Sequence, residues 1–145
     1  MSRSGLLFLC VANSARSQMA EALARARYGS AVQVFSAGSE PSRVHPLALE
    51  AMRVRKLDGG AQSSKHVDVI NPTGITVVVT LCAEEYCPVF LHKALRLHWP
   101  MPDPAHRMAG HSEADQLASF LEVSDLIAVR LNELDPLLRP PQRSD

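Results

Sequence analysis

The sequence predicts an α/β domain with a four-stranded parallel sheet and helices on both faces. Three observations predict it. Strand-like and helix-like patterns alternate along the chain, and the strongest strand segments are apolar at consecutive positions rather than at every second one. The 145 residues, 46% of them apolar, suffice for one core. A single domain over residues 1–145 is therefore expected, with right-handed crossovers and a ligand site outside the carboxyl ends of the strands.

The run Gly5-Leu6-Leu7-Phe8-Leu9-Cys10-Val11 reads as a central strand covered on both sides. From Arg16 to Tyr28, Met19, Ala22, Leu23 and Ala26 recur at helical spacing, Glu21 and Arg25 form an i,i+4 pair, and Gly29 supplies a stop. Val32-Gln33-Val34-Phe35-Ser36 alternates as a second strand. Pro46 opens a helix with Leu47, Ala51 and Met52 on one face, ended by Gly59-Gly60. The β-branched run Ile75-Thr76-Val77-Val78-Val79-Thr80-Leu81 is the third strand, and residues 94–99 form the fourth, with Leu95, Leu97 and Trp99 on one side. Ser112 to Asp115 resembles a capping box, and the stripe Leu117, Phe120, Leu121, Ser124, Ala128, Leu131 marks the longest helix, halted by Pro136. Residues 138–145 have little to bury and are expected to fray.

Fifteen basic and fifteen acidic side chains give no net charge, so there is no overall field for nucleic acid or an anionic membrane. The longest apolar stretch, residues 6–12, falls far short of the ~20 residues that cross a bilayer, and no signal peptide can be assembled. Three cysteines, Cys10, Cys82 and Cys87, suit reactive thiols in a reducing compartment better than a secreted disulfide framework. A cytoplasmic, soluble monomer is expected.

Chemistry concentrates at the predicted strand ends. Cys10 ends the first strand, Cys82 the third, and Asp103 follows the fourth. Between Cys10 and the first helix lie Val11, Ala12, Asn13, Ser14, Ala15, Arg16 and Ser17, a short loop able to wrap one tetrahedral anion. Its N–H groups and the helix N-terminus converge on one point, and Arg16 adds two parallel charge-assisted hydrogen bonds. The same field favours a thiolate, so Cys10 is expected to be nucleophilic near neutral pH. Asn13 suits a left-handed position, and a serine hydroxyl, Ser14, is expected to reach the sulfur.

The Cys10 to Ser17 loop resembles that of the low-molecular-weight tyrosine phosphatases and, more closely, of the thioredoxin-coupled arsenate reductases built on the same fold. The resemblance continues through Gln18-Met19-Ala20-Glu21, Ser36-Ala37-Gly38, Val79-Thr80-Leu81-Cys82, Cys87-Pro88-Val89-Phe90 and His98-Trp99…Asp103-Pro104. It implies arsenate as substrate and a cysteine relay in which Cys10 attacks arsenic, Cys82 attacks Cys10, and Cys87 attacks Cys82. A Cys82–Cys87 disulfide is then reduced by thioredoxin, or here by a small thiol such as glutathione or mycothiol. Four residues separate these two cysteines, fewer than the resemblance leads one to expect. Five helical steps rise ~7.5 Å, beyond the ~7 Å a disulfide accepts, so any helix there must unwind on oxidation.

The resemblance makes Asp103, between Pro102 and Pro104, the general acid. Where the phosphatases usually carry an aromatic residue after this Asp-Pro, Ala105-His106 stands here, which favours a small free oxyanion. Ala15 replaces the second loop cysteine common in phosphatases. A phosphatase remains the alternative enzyme, and a redox or metal-sensing module the non-enzymatic one; zinc held by Cys82 and Cys87 with His92 or His98 is a weak pattern, and no metal is expected. In some relatives potassium sits beside the loop on positions matching Asn13, Glu21 and Ser36 plus an aspartate. Lys65 occupies the fourth position, and its ammonium is expected to replace the ion, leaving no cofactor.

Overall fold

Strand β1, Ser4–Leu9, lies inside the sheet, and its side chains show why its apolar run is unbroken. Leu6 and Phe8 point into one core cluster, Leu7 and Leu9 into another on the opposite face. The computed structural model describes residues 4–59, 62–83, 90, 92–105 and 112–138. With β2 (Val32–Ala37), β3 (Ile75–Thr80) and β4 (Leu95–His98), β1 forms a sheet of order β2-β1-β3-β4 with every pair parallel. The fold is the expected four-stranded parallel α/β arrangement.

Helices α1 (Arg16–Tyr28), α2 (Pro46–Val54), α3 (Glu113–Arg130) and α4 (Asp135–Leu138) all contribute to the larger cluster. The other face is covered, among the described residues, by a 3-10 turn at Val67–Val69, Ile70 and Phe90. Helix α1 has its expected limits, and Gly29 ends it at φ 57. Ala26 is exposed, whereas every residue from 16 to 22 is buried. Burial here follows the segments laid over the first two turns rather than a simple stripe.

Four expectations change. Helix α2 stops at Val54, before Gly59-Gly60, because Lys56 adopts φ 60 and Leu57 N–H turns back to the Met52 carbonyl. The inward stripe of α3 is Phe120, Val123, Ser124 and Ile127, with Ala128 only half-buried. Pro136 does not halt α3: the helix ends at Arg130, a 3-10 turn follows at Leu131–Glu133, and Pro136 opens α4, where its missing N–H costs nothing. Leu138, assigned by sequence to the frayed tail, is buried in the core, while 139–145 lie outside the described residues. Among the described residues no helix is long and apolar enough to cross a membrane.

Candidate active site

The loop joining β1 to α1 is held from outside, carbonyl by carbonyl. The Val11 carbonyl accepts from Glu40 N–H at 2.9 Å, and that of Ala12 from Ser42 N–H at 3.2 Å and the Ser64 hydroxyl at 2.9 Å. The Asn13 carbonyl accepts from Gln18 Nε2 at 2.9 Å, and that of Ser14 from His45 N–H at 2.9 Å. No peptide among the described residues is cis, so each tethered carbonyl turns the following N–H to the opposite side. The N–H groups of Ala12, Asn13, Ser14 and Ala15 thus face inward. Asn13 makes the turn at φ 48, the left-handed conformation expected of it.

Inside lies a cavity of about 150 Å³ lined by Cys10, Ala12, Ser14, Ala15, Arg16, Asp103 and Ala105. Helix α1 points its N-terminus at it. Ala15 offers no side-chain cap and the first turn holds no acid, so the positive end of the helix faces the cavity without a competing carboxylate of its own. The close approach of β2's exit to this loop depends on Gly38. A Cβ there would lie 2.3 Å from the Val11 carbonyl oxygen, and Gly38 also pairs with the 65–67 segment through its N–H to Lys65 and its carbonyl to Val67.

Cys10 is a free, buried thiol with Sγ 2.8 Å from Ser17 Oγ. Asn13 Nδ2 donates to the same oxygen at 2.7 Å. Either atom can donate while Cys10 is a thiol; to a thiolate, which only accepts, Ser17 would be the donor, with the Asn13 amide polarising that hydroxyl from behind. Ser17, not Ser14, is the serine on the sulfur: it is the second residue of α1, on the side facing the loop's interior, while Ser14 lines the cavity. Asn13 and Ser17 are both fully buried beneath the cavity, and Val11 likewise supports the ring rather than lining it.

Arg16 is buried, and Nη1 donates to the Met101 carbonyl at 3.1 Å and the Leu81 carbonyl at 3.4 Å. These bonds tie the anion-binding side chain to the exits of β4 and β3. Asp103 Oδ1 accepts from Ala105 N–H at 3.0 Å, which leaves Oδ2 facing Arg16 Nη2 at 4.0 Å. With its side chain 37% exposed, Asp103 sits at the mouth of the cavity.

Cys82, buried directly after Leu81, is half of a disulfide. Residues 81–83 are not helical; Cys87, and with it the expected unwinding between the two cysteines, lies outside the described residues, as do His106 and His111.

Behind the loop, Lys65 N–H donates to Asn13 Oδ1 at 2.9 Å, and its ammonium stands 3.7 Å from Glu21 Oε1. The buried Glu21 carboxylate also accepts from Ser36 Oγ at 2.8 Å and pairs with Arg25 at 3.4 Å. Among the described residues no three His, Cys, Asp or Glu side chains converge as metal ligands would. The residues that sequence reasoning passed over are those holding the loop: Gln18, Ser64 and His45. His45 caps α2 by accepting Leu47 N–H on Nδ1 and packs on Phe120. Burial pushes its imidazole below the usual histidine range, and Asp103 only partly offsets this.

Residues 5–139 match the family model described as low molecular weight phosphotyrosine protein phosphatase. An arsenate reductase of Bacillus licheniformis is 38% identical over 136 residues, covering 90% of this chain and 94% of that one. An arsenate reductase of Bacillus subtilis is 38% identical over 130 residues, covering 88% and 92%. Among solved structures, an arsenate reductase in the phosphate binding state has a TM-score of 0.76 at 29% identity, covering 93% of this chain and 98% of its own. A thioredoxin-dependent arsenate reductase of Corynebacterium glutamicum has a TM-score of 0.69 at 28% identity, covering 94% of this chain and 62% of its own. On this near full-length similarity the chain belongs to the low molecular weight phosphotyrosine protein phosphatase family, on its arsenate reductase branch.

Proposed function

We propose that this chain reduces arsenate to arsenite by a cysteine relay, in arsenic detoxification. The observation that carries the reading is a second redox-active sulfur beside the nucleophile's cavity: Cys82 is in a disulfide, and Arg16, which lines the cavity with Cys10, donates to the carbonyl of the preceding Leu81. A phosphatase has no use for it. Ala105 on the cavity wall, where an aromatic ring would grip a phosphotyrosine, also favours a small free oxyanion.

Arsenate sits on the inward N–H groups with Arg16 across two of its oxygens. The Cys10 thiolate attacks arsenic, and Asp103 protonates the departing hydroxide, which leaves as water. The Cys82 thiolate then attacks Cys10 Sγ; the S–As bond breaks, its electron pair stays on arsenic, and As(V) leaves as As(III). Cys87 attacks Cys82, freeing the Cys10 thiolate and leaving a Cys82–Cys87 disulfide. Two thiols have supplied two electrons, and an external dithiol or pair of small thiols returns them. Thioredoxin, on which the Corynebacterium glutamicum enzyme depends, is the favoured reductant, with glutathione or mycothiol as substitutes. The ring needs no potassium on this reading, because Lys65 supplies the positive charge against Glu21. A reducing compartment, the cytoplasm, suits the three thiols, and every catalytic group named comes from one chain, so a monomer suffices.

Substituting Cys82→Ser tests the proposal. Arsenate turnover should vanish while hydrolysis of a small aryl phosphate, which needs only Cys10, Arg16 and Asp103, persists. Arsenate turnover that survives the substitution would refute the relay.

A further inference from the structure

Gln18 has no part in the relay, yet its side chain is buried in the first turn of α1 with every amide group engaged. Its Nε2 donates to the Asn13 carbonyl at 2.9 Å and to the Ser63 carbonyl at 2.8 Å. Its Oε1 accepts from Gln62 Nε2 at 2.9 Å, and the same Gln62 nitrogen reaches the Gln18 main-chain carbonyl at 2.9 Å. Two donated bonds fix which end of the Gln18 amide is nitrogen, and the bond from Gln62 fixes the oxygen.

The carbonyls of Val11, Ala12 and Ser14 are each held by a main-chain N–H of the 40–45 segment. The Asn13 carbonyl is held instead by this side-chain amide. Rotating this one peptide plane, a change of ψ at Asn13 and of φ at Ser14, would exchange carbonyl and N–H while the rest of the loop stays tethered. Such a rotation would withdraw the Ser14 N–H from the ring and aim a carbonyl oxygen at the anion.

We propose that Gln18, braced by Gln62, is a positioning pair that locks the Asn13–Ser14 peptide with its N–H inward and thereby sets the affinity of the ring for tetrahedral oxyanions. The inference rests on the oxyanion-binding reading of the loop. Glutamate at this position would keep the shape but lose both donors and set a carboxylate against two carbonyl oxygens.

Inorganic phosphate serves as the probe, read as protection of Cys10 from iodoacetamide in the reduced, full-length chain. In Gln18→Leu the phosphate dissociation constant should rise about 10- to 100-fold, since a buried carbonyl loses its partner. In Gln62→Ala, where Gln18 stays but is less firmly held, the rise should be about 3- to 10-fold. KM for arsenate should rise with it, and alkylation of phosphate-free Gln62→Ala should stay within about twofold of the parent, because the Cys10–Ser17–Asn13 chain is untouched. A merely structural role would lower the melting temperature without moving phosphate protection. Should Gln18→Leu not fold, Gln62→Ala decides alone. Folded variants that bind phosphate as the parent does would overturn the proposal, as would a parent chain that phosphate does not protect. Arsenate turnover by the parent is a separate assay, and its absence would sink the reductase reading alone.

Discussion

Gly38 shows how much of an anion site depends on an atom that is missing. The Val11 carbonyl stands 2.3 Å from where a Cβ would be, so Gly38→Ala must push the loop or β2's exit aside. The expected cost is about 1–3 kcal/mol in urea unfolding, with weaker phosphate protection of Cys10. Asp103 makes a different prediction. Asp103→Asn keeps an acceptor for Ala105 N–H but cannot give up a proton, so arsenate turnover should fall about 10²- to 10⁴-fold. Phosphate should bind at least as tightly, because a negative charge 4.0 Å from Arg16 is gone. Cys10, Arg16 and Asp103 were all legible in the sequence, since a nucleophile, a fork of donors and an acid have few substitutes. The choice of Ser17 over Ser14 was not: it turns on which way a hydroxyl points once the first helical turn has formed, and no spacing rule states that.

Helix α1 keeps its N-terminus uncapped and free of acids, giving up the usual stabilisation to leave its N–H groups for a ligand. Helix α2 does the reverse, capping itself with His45, whose own N–H tethers Ser14. Losing that cap in His45→Ala should cost about 0.5–2 kcal/mol. The pH dependence follows from burial, the largest influence, which lowers the folded imidazole's affinity for a proton, with Arg43 adding to it and Asp103 opposing. The unfolded chain therefore takes up the proton first. Stability from this group is complete above the ordinary histidine range and declines as pH falls through that range and through the lowered folded value. His45→Asn, which retains a capping oxygen, should flatten the decline in melting temperature between about pH 7 and 5. Sequence periodicity located α1 well, because its ends carry local signals, and misjudged the end of α3, because Pro136 reads as a stop whether it closes one helix or opens the next.

The four parallel strands were legible from alternation and apolar runs, which the sheet's two-faced burial enforces; their order was not, nor that the four described helices all pack on one face where helices on both were expected. What could not be read was how 40–45 and 62–64, remote in sequence and without periodic pattern, come to rest against the ring. Those contacts depend on main-chain groups that every residue carries. The Arg27 guanidinium on Asp135, with Tyr28 Oη on the same carboxylate at 2.8 Å, closes the far end of the domain in the same sequence-silent way and pushes the tyrosine's proton affinity up, burial being the larger cause.

The donors that hold the carbonyls around Cys10 outward come from stretches that reach the loop only after β1, β2 and the 62–67 crossover have docked. A partly folded chain therefore owns the nucleophile but not the ring, and phosphate should select the finished state from all others. Phosphate at 100 times its dissociation constant should add about 2.7 kcal/mol to unfolding and raise the melting temperature accordingly, and an unaltered melting curve would mean the ring tolerates disassembly. For a cell meeting arsenate, abundant phosphate would then be both the competitor at the site and the guardian of its shape.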